Sequence, residues 1–138
     1  MSGRVTERSL DPWMVFVLRL AGTYNVLAGL SMVCFYHEGY QLLGVAKPQL
    51  VLPVQGMGVL VALFGVGYHW VASDPLRNGS ILVLGFWSKL LAPILCIRFL
   101  LDGTLPWWFL VVLLFSDLGY LPFFYLIIRR LNGSGRTA

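Results

Sequence analysis

A handful of side chains in this 138-residue chain combine an ionisable or strongly polar group with an apolar setting. Lys89 stands in the run GFWSKLLAP, which closes on Pro93. Asp117 stands in LLFSDLGYLP, which closes on Pro122. Arg19 and Asn25 belong to an earlier apolar run. Charged groups in hydrocarbon are expensive, and those that occur are paired or serve ions, protons or ligands. An ammonium and a carboxylate at one depth can form a fixed ion pair, pass a proton or hold an ionic ligand. Each proline removes an N–H and frees the carbonyl four residues back. For Pro93 that carbonyl belongs to Lys89, and for Pro122 to Leu118, beside Asp117. Two readings follow: a charge-paired kink that locks a bundle, or a ligand or proton site at broken helices.

Gln55, Gly58, Ala62, Gly65 and His69 recur at intervals of three and four, which puts them on one helical face. Small residues on such a face let two backbones approach closely, the usual basis of membrane helix pairing. The other reading is a cavity wall with Gln55 and His69 as polar ends.

These residues need elements long enough to cross a bilayer, and the composition supplies them. The chain is 58% hydrophobic and 12% charged, against about 45–50% and 25% in soluble domains. So small a soluble protein has no interior able to hide that excess. Four apolar runs, about 13–36, 49–71, 80–101 and 105–128, each reach the roughly 20 residues that a span requires. Asp11-Pro12 reads as a helix start. Residues 37–48 read as an interfacial turn, and 73–79, with Asp-Pro and Asn-Gly, as a tight turn between antiparallel neighbours. Asp102 to Thr104 closes the third span, Arg129 and Arg130 stop the fourth, and residues 132–138 read as a polar tail. The fold class expected is all-α: one transmembrane domain, a four-helix antiparallel bundle.

Orientation follows from the basic residues. Arg4, Arg8, Arg77, Arg129, Arg130 and Arg136 fall on one side and Lys47 on the other, which places both termini in the cytoplasm. The expected location is the bacterial inner (plasma) membrane. Counting about 1.5 Å per residue from the span ends puts Lys89 roughly 13 Å deep on the cytoplasmic side, with Asp117 at roughly the same level. Spans three and four share a short loop, so a Lys89–Asp117 ion pair is expected. Arg19 lies about one turn nearer the cytoplasm, where it either snorkels to the headgroups or faces the bundle. Asn25 suits an interhelical hydrogen bond. Arg98 and Asp102 are spaced for a surface pair.

Other chemistries find little support. The net charge of +4 is spread over span ends rather than gathered into a stripe, so no nucleic-acid partner is expected. His37 and His69 fall on opposite sides, and no phosphate loop follows a strand, so no metal or other cofactor is expected. Cys34 and Cys96 both lie toward the outer side without a CxxC spacing, and a free buried thiol is the commoner state. No catalytic constellation is apparent. Expected partners are the lipid bilayer and other membrane subunits, or a second copy of the chain.

Arg19 opening a span, with Gly22, Ala28, Gly29 and Leu30 behind it, and a second span dotted with Gly56, Gly58, Gly65 and Gly67, resembles the DoxX-like small four-helix membrane proteins of bacteria. The resemblance covers the chain in outline and implies a four-helix fold with little specific chemistry. Together these features point to an accessory or assembly component of a larger membrane complex. The alternative is a small transporter or ligand-binding protein that uses the Lys89, Asp117 and Arg19 cluster.

Overall fold

The structure, a computed structural model, describes residues 10–133. Expectations resting on Arg4, Arg8, Arg136 and residues 134–138 lie outside the described residues. The described chain is helical without strands: α1 (Pro12–Cys34), α2 (Tyr36–Leu43), α3 (Leu52–Ser73), α4 (Pro75–Leu101), α5 (Phe109–Ser116), a 3-10 turn (Leu118–Tyr120) and α6 (Leu121–Gly133). Four segments are long and apolar enough to cross a membrane: α1, α3, α4 and Phe109–Gly133.

Several boundaries differ from the sequence expectation, each for a local reason. Asp74 alone separates α3 from α4, so the expected turn over 73–79 is mostly helix. Asp74 acts as an N-cap, accepting from the Arg77 N–H at 3.2 Å, and Pro75 fits the first helical position. The Asn78 amide donates to the Trp70 and Asp74 carbonyls at 3.3 and 3.1 Å, which absorbs Asn-Gly into the first turns. Asp11 makes no side-chain cap, although Pro12 does open α1. The expected interfacial turn after α1 is the short helix α2, ended by Gly44 in the left-handed region at φ 66°. The fourth span starts later than expected, at Phe109, and is broken at Asp117. Asn132 belongs to α6 rather than to a tail.

The tightest packing joins α1 to α3 through glycine. A Cβ on Gly65 would lie 2.7 Å from the Val26 nitrogen, and one on Gly29 would collide with the Gly58 oxygen and the Ala62 nitrogen. Gly22 meets Gly65 while Gly29 meets Gly58, so the two helices run antiparallel. Gln55 Nε2 donates to the Val33 carbonyl at 3.3 Å, and Thr23 Oγ1 lies 3.4 Å from His69 Nε2. The Gln55–Gly58–Ala62–Gly65–His69 face is therefore spent on α1, as packing rather than as a cavity wall.

α4 packs against α3 and α6, which closes the bundle. Leu18, Tyr68, Val71, Leu82, Phe124 and Ile127 are fully buried and form the core in the half of the bundle nearest the α3–α4 junction. The opposite half is looser and holds a cavity between α1, α2 and α5.

Candidate functional site

α4 starts at Pro75, so Lys89 lies about 21 Å along it, deeper than the count from residue 80 implied. Its side chain is 3% exposed. Nζ donates to three oxygens: Asn25 Oδ1 at 3.3 Å, the Ser116 carbonyl at 2.7 Å and Asp117 Oδ1 at 3.3 Å. An ammonium has three N–H bonds, and each has an acceptor here. The Ser116 hydroxyl donates to Asp117 Oδ2 at 2.8 Å, so the second carboxylate oxygen is also satisfied. The Tyr120 ring centroid lies 5.3 Å from Nζ, within cation–π range. One positive and one negative charge cancel within the cluster.

The helix break supplies the shortest of these bonds. In a continuous helix the Ser116 carbonyl would accept from the Tyr120 N–H. Here that N–H turns to the Asp117 carbonyl at 3.2 Å, which leaves the Ser116 oxygen for Lys89. The backbone acceptor is thus neither the Lys89 nor the Leu118 carbonyl, the two that lie four residues before a proline. Gly119 suits the break, since a Cβ there would lie 2.7 Å from the Leu114 oxygen. Pro122 occupies the first turn of α6, where a helix N–H needs no intrahelical partner. It starts a helix rather than kinking one. Pro93 remains inside α4, buried one turn beyond Lys89.

Lys89, Asp117 and Asn25 therefore meet, and they tie α1, α4 and both halves of the fourth span at one point. Arg19 does not join them. It is exposed on the outer face of α1 and has no ion-pair or hydrogen-bond partner among the described residues. The expected Arg98–Asp102 pair is also absent, because the Asp102 carboxylate accepts from the Thr104 N–H at 3.0 Å. Cys34 and Cys96 are both free. The two histidines serve locally: His37 lies 3.1 Å from Gln41 Nε2, and His69 faces Thr23.

Sequence reasoning missed Ser116, Tyr120 and Tyr68. A signal for the first two was present, since Asp117, Gly119 and Pro122 crowd helix-breaking residues into one short stretch. Tyr120 also opens a run of rings: Tyr120 to Phe124 is 5.8 Å and Phe124 to Tyr68 is 5.1 Å between centroids. The Tyr68 hydroxyl is buried without a hydrogen-bond partner among the described residues and sits against Gly85, where any Cβ would collide with it. Nothing in the sequence marks Tyr68 apart from other core aromatics.

Chemically, the centre is closed. A ligand anion has to displace one of the three acceptors of Lys89, and a ligand cation has to displace Lys89 itself. Asp117 is the more accessible member of the pair, its side chain 22% exposed. Comparison with known protein families, curated proteins and solved structures finds no match to this chain.

Proposed function

We propose that the protein is a non-enzymatic accessory or assembly component of a larger membrane complex, with both termini in the cytoplasm. One observation carries the reading. The charges inside the bundle satisfy each other, whereas Arg19 turns outward from a spanning helix, about 10 Å from its start, with no partner among the described residues. An outward-facing cation at that depth calls for an anion from outside. The anion proposed is a carboxylate on the spanning helix of a partner subunit. Lys47 on the far side, against Arg77, Arg129 and Arg130 on the near side, supports the orientation. The DoxX-like resemblance agrees with a small four-helix plan and adds no chemistry.

A photoreactive residue at the exposed neighbour Leu20 tests the proposal in native membranes. The expected result is a discrete protein adduct that Arg19→Glu abolishes while folded protein remains in the membrane. An arginine that merely snorkels gives lipid adducts alone, and that result overturns the reading.

A second reading, a small transporter or ligand-binding protein, has one observation in its favour: the helix break falls beside an intramembrane acid, an arrangement found at transporter substrate sites. Asp117→Asn separates the two. Folded protein that has lost binding or transport favours a ligand site, whereas loss of folded protein, restored by also neutralising Lys89, favours a lock.

A further inference from the structure

The looser half of the bundle contains a cleft of about 450 Å³ between α1, α2 and α5. Its volume falls within the range of small-molecule sites, about 300–1,000 Å³. Tyr24, Phe35, Tyr36, Tyr40, Trp108 and Phe109 supply much of its wall. α2 forms one side as an amphipathic element. Tyr36, Gly39, Tyr40 and Leu43 line the cleft, while His37 and Gln41 pair with one another. Beside the cleft, Lys47 holds its ammonium 5.6 Å from the centroid of the ring of Tyr36, one of the lining residues. A cation thus stands next to an aromatic and aliphatic chamber whose wall includes Tyr36, Tyr40 and Trp108, residue types that favour the membrane interface.

We infer that this cleft binds an anionic phospholipid, with one acyl chain in the chamber and the phosphate at Lys47. The chamber wall matches hydrocarbon, and Lys47 beside it carries the charge opposite to a phosphate. The site is remote from Arg19, which lies near the start of α1, so it stands or falls independently of any protein partner.

Gly39 provides a clean probe. It lines the cleft, and an added Cβ meets nothing within 4 Å, so the backbone tolerates a side chain at the chamber wall. The purified protein in mild detergent is offered phosphatidylglycerol or phosphatidylcholine of the same chain length, and the adducts are counted by native mass spectrometry. Phosphatidylglycerol is expected to be retained about fivefold better, the effect of one cation near an anionic lipid surface. Lys47→Gln should bring the two lipids to equality. Gly39→Phe should remove the adduct while helicity by circular dichroism stays at the parent value. Equal retention of the two lipids by the parent protein overturns the inference, as does a phosphatidylglycerol adduct that survives Gly39→Phe unchanged.

Discussion

Asp117→Asn is the substitution whose consequence the polar centre specifies most closely. The amide is isosteric, so Lys89 keeps its bonds to Asn25 Oδ1 and the Ser116 carbonyl and still faces an oxygen at residue 117. What disappears is the counter-charge of an ammonium that is 3% exposed. Removing one partner of a buried pair is destabilising by about 3–5 kcal/mol in soluble proteins. Interhelical hydrogen bonds in membranes contribute less, about 0.6 kcal/mol on average. With the three oxygens retained and only the counter-charge lost, the lower end of the first range applies, about 3 kcal/mol or roughly a hundredfold in the folding equilibrium. Lys89→Met should be milder, because Asp117 keeps the Ser116 hydroxyl and is 22% exposed to its surroundings. The double variant Lys89→Met/Asp117→Asn has no uncompensated charge and should recover most of the loss. The assay is reversible unfolding in bicelles, arranged as a double-mutant cycle. The expected coupling is about 2 kcal/mol, well above the ~0.5 kcal/mol within which independent sites add. Additivity of the two single changes refutes the claim that these residues work as a pair.

Three further outcomes follow from the packing and from one surface group. Gly29→Ala should weaken the α1–α3 contact measurably in the same unfolding assay, because its Cβ meets backbone atoms of Gly58 and Ala62, while Gly56→Ala, with open space around it, should be neutral or slightly stabilising. Tyr68→Phe should leave stability unchanged or raise it by up to about 1 kcal/mol, since the hydroxyl it removes is buried without a hydrogen-bond partner among the described residues; a loss shows that the hydroxyl has a partner after all. Hydrogen bonds from the Thr104 side chain and backbone hold the exposed Asp102 carboxyl below its ordinary 3.8. Because that value is depressed in the folded protein, its contribution is complete above the ordinary value and fades as pH falls through the depressed one. A carboxyl NMR titration should show the low midpoint, and Thr104→Val should raise it.

The spans were legible because each requires about 20 apolar residues, a signal no local detail can hide. The small-residue face of α3 was legible for a similar reason, since helical periodicity is regular and Gly58 and Gly65 punctuate it. Lys89 and Asp117 were found by their rarity in such company. What escaped depended on single hydrogen bonds. Asp74-Pro75 signals a turn and a helix start equally well, and only the carboxylate's bond to the Arg77 N–H decides for the helix. The partner of Lys89 on the fourth span includes a backbone carbonyl, Ser116, and a carbonyl has no identity in a sequence. Arg19 was poised between snorkelling and facing the bundle because one residue of register is about 100° of rotation on a helix. The geometry of Gly22 and Gly29 against α3 sets that rotation, and it turns Arg19 outward.

On the proposed reading, the polar centre holds the bundle together while the outward face of α1 meets the partner subunit. Counting the partner adduct formed from position 20 in native membranes, in two variants of matched folded abundance, tests both halves at once. Lys89→Met/Asp117→Asn is expected to retain the adduct, and Arg19→Gln to lose it. An adduct that survives Arg19→Gln but vanishes in the double variant contradicts the reading, and moves the function from the surface to the polar centre.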